Sequence, residues 1–151
     1  MAIKNRFDRL ERKEAFFFEL ADQVKTLEVL FAVACGVATN EVLMLAHMNA
    51  EALEKTLQTG KAHYWSRSRQ SIWLKGETSG NVQMVQEILK DCDQDAVVMK
   101  VIVQGDEASC HTGRISCFFR SVSKGEDGSY ALSIDERPAR FDPQSVYSDD
   151  Q

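Results

Sequence analysis

Residues 29–48 read "VLFAVACGVATNEVLMLAHM", and this stretch decides the fold class. "VLFAVACGV" (29–37) has the run of apolar residues of a buried strand, and "EVLMLAHM" (41–48) returns as a second. Between them, "ATN" supplies a turn. Two such runs joined by a short turn predict a β-hairpin.

Working outward, Asn49 is placed to cap a helix through "AEALEKTLQT", and Gly60 to end it. "AHYWSRS" and "QSIWLKG" are aromatic and β-prone, and predict two short strands. "TSGNVQMVQEILK" opens on capping residues and then sets Val82, Val85, Ile88 and Leu89 at helical spacing, which predicts a helix. "AVVMKVIVQ" (96–104) predicts a strand, "GDEASCHTGRIS" a loop and "CFFRSV" another strand. Upstream, Leu10, Phe17, Leu20 and Val24 can form one apolar stripe on a helix over residues 5–26. Downstream of Lys124 the signal fades. "SYALSI" reads as a last edge strand, and "DERPARFDPQSVYSDDQ", which holds both prolines, as a loosely ordered tail. The sum is an α+β fold: a mostly antiparallel sheet with about three helices.

The 151 residues are enough for one domain with a core that folds without disulfides. No apolar run approaches the roughly 20 residues of a membrane span, and the N-terminus does not read as a secretory signal. A cytoplasmic location is expected. A net charge of −5 argues against non-specific nucleic-acid binding, which needs a basic footprint, but leaves room for a small anionic substrate. Four cysteines, Cys35, Cys92, Cys110 and Cys117, read in a reducing compartment as metal-binding, catalytic or buried. Cys35 lies within an apolar strand and reads as a small core residue.

Two stretches carry chemistry. "DCDQD" (91–95) crowds Asp91, Asp93 and Asp95 around Cys92. In an extended segment the three carboxylates share one face and the thiol the other. Such carboxylates repel unless a cation neutralises them, and a hard ion such as Mg²⁺ takes oxygen ligands of this kind. With Cys110 and Cys117 of "CHTGRISC", Cys92 gives three thiolates. These fit a zinc site whose fourth position is left to water, with His111 beside a ligand to pass protons. The plain alternatives are a solvated acidic turn, core cysteines, and a structural four-cysteine zinc site that includes Cys35. Against the last, paired C-x-x-C knuckles are missing.

The second stretch is "SRSRQSIWLKGETSGN" (66–81). Ser66, Arg67, Ser68 and Arg69 offer hydroxyl and guanidinium donors, and Lys75 a point charge. Thr78, Ser79, Gly80 and Asn81 open the predicted helix, whose free N–H groups attract phosphate. Read plainly, "SRSR" is a polar edge strand and "KGETSGN" a turn with a cap. Together, within so short a span, they point to a phosphorylated ligand, with Trp65 and Trp73 available to cover a base or fill the core.

"WSRSRQSIWLKGETSGN", "DCDQD" and "CHTGRISCFFR", in this order and spacing, resemble phosphoribosyl-AMP cyclohydrolase, the ring-opening enzyme of histidine biosynthesis, and "EVLMLAHMNAEAL" matches a further block of that family. The resemblance covers residues 41–120. A family-like domain is expected over 1–122, including an N-terminal helix that is not a family signature, and a partly disordered extension, equally outside the family's pattern, over 123–151. The resemblance implies an intertwined homodimer that completes a barrel-like core, with active sites between subunits. Zinc would sit at Cys92, Cys110 and Cys117, the first thiol coming from the opposite subunit, and Mg²⁺ at Asp91, Asp93 and Asp95, with His111 as the proton-transfer group. The implied reaction is attack of zinc-bound hydroxide on C6 of 1-(5-phosphoribosyl)-AMP, opening the N1–C6 bond. The chain departs from the family's pattern in the first hairpin and at His47, which stands where an aromatic residue is usual. That departure motivates the alternative of a non-catalytic, zinc-stabilised nucleotide-binding paralogue. A zinc nucleotide deaminase is disfavoured because the H-x-E with P-C-x-x-C pattern is absent.

Overall fold

A computed structural model describes residues 29–148. The helix expected over residues 5–26 lies outside the described residues. Strands β1 (Leu30–Gly36) and β2 (Val42–Met48) form the expected antiparallel hairpin, with Leu30 opposite Met48 and a bulge at Ala34/Cys35. The turn closes through Gly36 N–H to Glu41 O (2.9 Å) and Asn40 N–H to Gly36 O (2.8 Å), Asn40 standing at φ 57°. Cys35 is buried, as its apolar setting predicts, and its thiol donates to Asn40 O at 3.0 Å.

Helix α1 (Ala50–Thr59) is bounded as its sequence dictates. The Asn49 side chain accepts from Ala52 N–H at 2.9 Å, and Gly60, left-handed at φ 69°, donates to Thr56 O. Its buried face is Ala52, Leu53 and Thr56, one turn of helical spacing. Thr56 Oγ1 then accepts from His63 N–H (2.9 Å), fixing the entry into β3 (His63–Ser66), which pairs with β4 (Ser71–Leu74).

The segment expected as a third helix folds otherwise. Thr78–Gly80 is a turn, and Gln83–Lys90 is strand β5, paired antiparallel along its length with β6 (Ala96–Val103). A bulge between Val85 and Glu87 explains the misleading spacing. An inserted residue shifts the phase of alternation by one, so Val85 and Ile88, three apart, both pack on the core. The three-residue interval imitates a helix. No helix therefore starts at Thr78, and the phosphate site expected from its free N–H groups is not formed.

The six strands run in the order β4-β3-β2-β1-β6-β5. Only β1 and β6 pair in parallel. The sheet curls until its far edge meets the chain leaving α1: Ala62 N–H donates to Gln83 O (2.9 Å) and Val85 N–H to Gly60 O (2.8 Å). Inside the curl, Leu30, Met48, Leu53, Tyr64, Val97 and Met99 form the core. The Tyr64 hydroxyl crosses the interior to donate to Gln83 Oε1 at 2.6 Å, and both residues are fully buried. The described residues are thus α+β, with a curled, mostly antiparallel sheet and two helices.

Beyond residue 119 the described chain holds regular elements, the expected "SYALSI" strand among them. Strands β7 (Arg120–Lys124) and β8 (Tyr130–Ile134) make a second hairpin, and Pro143–Tyr147 forms a short helix, α2, capped by Asp142. Tertiary ties supply what hydrophobicity does not. Arg137 pairs with Glu41 (2.5 Å) and with Asp135, Arg114 donates to Asp135 O (2.9 Å), and Arg140 N–H donates to Gly113 O (2.7 Å).

Gly76 has φ 86°, and a Cβ there would stand 2.3 Å from the Asn81 carbonyl carbon. Both backbone conformation and space exclude a side chain. Gly76→Ala is expected to lower stability by roughly 1–3 kcal/mol in urea unfolding. An unchanged midpoint would contradict this account of the turn.

Candidate active site

The loop after β6 doubles back on itself. Ser109 N–H donates to Ile115 O (3.1 Å) and Cys110 N–H to Arg114 O (3.0 Å). Its end is clamped to β2: Cys117 N–H donates to Leu43 O (2.7 Å) and Ser116 Oγ to Val42 O (2.7 Å). This brings Cys110, whose thiol lies 3.0 Å from Thr112 Oγ1, close enough to Cys117 to influence its ionisation. Burial of the Cys117 thiol, then the charge and hydrogen bond of Cys110, push it up to about 12, against the pull of Lys75. As a residue Cys117 is exposed, and it lines a cavity.

Lys75 follows β4 and is buried. Burial pulls its ammonium group below the usual lysine range, while Cys117 and Cys110 work in the other direction. Among the described residues it makes no ion pair. The Lys75 cation opposes, without overcoming, the burial that keeps the Cys117 thiol protonated, and only an ionised thiol ligates a metal.

Two cavities share a wall. One of about 280 Å³ is lined by Arg69, Trp73, Lys75, Thr78, Ser79, His111, Cys117 and Tyr147, among others. The other, about 640 Å³ and more open, is lined by His47, Trp65, Ser66, Arg67, Ser68, Arg69 and Trp73. Arg69 and Trp73 line both. Trp73 also packs on Tyr64, ring centroids 5.0 Å apart, so it serves the core and the site at once. His47 stacks on Phe31 at 5.2 Å, and burial, then the Arg67 charge, hold its imidazole below the ordinary histidine range.

Asp91, Asp93 and Asp95 lie in the exposed turn between β5 and β6, with their ligand oxygens within 4.8 Å of one another. The turn is not the extended segment that alternation assumes: Gln94 is left-handed at φ 65°, and Asp91 Oδ1 accepts from Ala96 N–H at 3.1 Å. The carboxylates converge all the same. The hydrogen bond from Asp91, then repulsion by Asp93, holds Asp95 above the usual carboxylate range. Like charges this close resist full ionisation, and an oxygen-seeking cation relieves them. Among the described residues this is the one group of three or more such donors within that reach, so Cys92, exposed in the same turn, does not meet Cys110 and Cys117 within the chain.

The cavities therefore gather Ser66, Arg67, Ser68, Arg69, Lys75, Thr78, Ser79, His111 and Cys117 of the residues expected from the sequence. Gly80 and Asn81 line neither. Asn81 is buried, and its Oδ1 accepts from Asp106 N–H at 2.7 Å, which ties the turn to the loop after β6; its Nδ2 has no partner among the described residues. Met44, Glu77, Ser109 and Tyr147 line the smaller cavity without having been singled out. Met44 and Glu77 lie within quoted motifs and Ser109 flanks one; Tyr147 had no local signal, because only the returning tail brings it there.

The family profile for phosphoribosyl-AMP cyclohydrolase matches residues 44–119. A protein from Rhizobium leguminosarum bv. trifolii with that name is 55% identical over 119 residues, 79% of either chain. One from Desulfotalea psychrophila is 56% identical over 79% of this chain and 88% of its own, and one from Chelativorans is 63% identical over 70% and 75%. Both bear the same name.

A thiol with a pKa of about 12 is almost wholly protonated near neutrality. In metal-stripped protein at about pH 8, iodoacetamide is therefore expected to label exposed Cys92 at least roughly tenfold faster than Cys117. Peptide mass spectrometry reads the rates, and equal labelling would refute the sheltered thiol pair.

Proposed function

The chain belongs to the phosphoribosyl-AMP cyclohydrolase family, and from that premise we propose that it hydrolyses the N1–C6 bond of 1-(5-phosphoribosyl)-AMP, in histidine biosynthesis in the cytoplasm. The observation that carries this reading is the smaller cavity, where the Cys117 thiol, a buried lysine, a histidine and hydroxyl donors face one space.

The donor chemistry fits the metals of the reading. Cys110 and Cys117 would supply two of the three thiolates that hold zinc, and the exposed Cys92 of a second subunit the third, in an intertwined homodimer. The exposed oxygen cluster Asp91, Asp93 and Asp95 suits Mg²⁺. Zinc, when bound by the cysteines, lowers the pKa of a coordinated water and so supplies a nucleophile near neutral pH.

The chain's own residues do the rest. Substitution at N1 leaves C6 electron-poor. Water adds at C6, and His111 takes a proton from it and returns a proton to N1 as the C6–N1 bond breaks. The products of that step are a carboxamide at C6 and a formamidine that keeps N1, with no ammonia released. Arg69, between the two cavities, and Lys75, Thr78 and Ser79 in one, with Ser66, Arg67 and Ser68 in the other, provide donors for the two phosphoribosyl arms. Catalysis resides in residues 1–122 of this reading, and the extension beyond supports them.

The test is turnover of 1-(5-phosphoribosyl)-AMP, with ammonia assayed alongside. Cys110→Ala and Cys117→Ala are expected to lose both zinc and activity. Cys92→Ala and Cys110→Ala chains, each inactive alone, are expected to recover about a quarter of wild-type activity when co-refolded, because half of the random dimers hold one intact site. Full activity in a zinc-free Cys110→Ala protein defeats the proposal, and no recovery on mixing defeats the shared site.

A further inference from the structure

The tail from Asp135 to Tyr147 is strapped onto the loop that carries Cys110, His111 and Cys117. Asp135 N–H donates to Phe119 O at 2.8 Å, and Arg140 N–H to Gly113 O at 2.7 Å. At Gly113, φ 79°, a Cβ would stand 2.3 Å from Phe141 O, so the loop gives up a side chain to let the strap lie close. Asp142 caps α2, Pro143 starts it, and Phe141 packs against Tyr147 with ring centroids 6.2 Å apart. Tyr147 thereby reaches the smaller cavity from a segment 28 residues beyond the family-profile match, which ends at 119.

Tyr147 and Trp73 line that cavity together with the His111 imidazole. Tyr147 is half-buried. No hydrogen bond of the described residues uses its hydroxyl, and its contact with the body of its own tail is the tilted one with Phe141. A flat, partly exposed ring beside cationic and hydroxyl donors is what a phosphorylated nucleoside needs on its base side: the donors take the phosphate and the ring takes the π-face.

We propose that Tyr147 is a substrate-contacting residue, which stacks on the purine of the nucleotide while Arg69 and Lys75 hold its phosphate. The identity of the full substrate rests on the ring-opening reading above; the stacking rests on the cavity. Tyr147 acts in binding, not in proton transfer, and the C-terminal strap is part of the site.

The experiment compares the wild-type enzyme with Tyr147→Phe, Tyr147→Trp, Tyr147→Leu and Tyr147→Ala in full-length, zinc-loaded protein. KM and kcat for 1-(5-phosphoribosyl)-AMP are measured, and, separately, the dissociation constant for AMP by calorimetry. The aromatic variants are expected to stay within about twofold of wild type, while Leu and Ala weaken KM and AMP binding about tenfold, as loss of one base–aromatic contact would. kcat and zinc content are expected to hold. Tyr147→Leu keeps an apolar partner for Phe141, so wild-type KM in that variant means that Tyr147 only packs, and overturns the proposal. Unchanged KM and AMP affinity in Tyr147→Ala overturns it as well. Aromatic-dependent AMP binding without turnover in the wild type would leave stacking intact and remove the ring-opening reading; absence of both AMP binding and turnover would remove both.

Discussion

The curl of the six-stranded sheet is closed by a few backbone hydrogen bonds, and the site depends on that closure. Gly60 ends α1 in a left-handed conformation and, through its carbonyl, accepts from Val85 on the far edge strand. Ala62 bonds Gln83 from one side and accepts from Lys75 N–H on the other, at 3.0 Å. The same short segment thus joins the ends of the sheet and fixes the start of the turn that carries Lys75, Thr78 and Ser79. Tyr64 and Gln83 reinforce it from within, because a buried hydroxyl and amide must find each other when no water can reach them.

The electrostatics of the cavity follow from burial at the end of β4. Lys75 is carried out of water by the backbone, without a carboxylate to pair with among the described residues. Two thiols are the groups placed to answer its charge. Either the lysine gives up its proton or the thiols give up theirs, and a thiophilic cation resolves the conflict in favour of thiolates. The aspartate turn presents a second, separate conflict of like charges in full exposure, where an oxygen-binding ion is the natural remedy.

The second hairpin and the strap behind it are held mainly by polar ties. Both strands are solvent-exposed along their length. Arg137 bridges the first turn's Glu41 and its own neighbour Asp135, and Arg114 donates to two carbonyls of the strap while its guanidinium lies 4.8 Å from the centroid of Phe119. These contacts anchor the tail to the thiol-bearing loop, which is why a segment poor in apolar residues can take part in a binding site.

Local chemistry in the chain was enough to determine the first hairpin, α1 with both caps, the strands around the two tryptophans, the acidic turn and many of the cavity-lining donors. Each is written in contiguous residues whose backbone preferences need no distant partner. Pairing decided the rest. Residues 83–90 carry a helix's apolar interval, yet β6 lies beside them with unsatisfied backbone groups, and a bulge reconciles the two. Asn81, expected among the ligand donors, braces its turn, because the group that donates to its Oδ1, Asp106 N–H, lies 25 residues away. Tyr147 joined the cavity through contacts at Gly113 and Phe119 that its neighbours in sequence do not announce. Short-range propensity can specify which residues are turns, strands or donors; only the closure of long loops, whose partners are chosen by hydrogen-bond satisfaction in the folded state, specifies which of them meet.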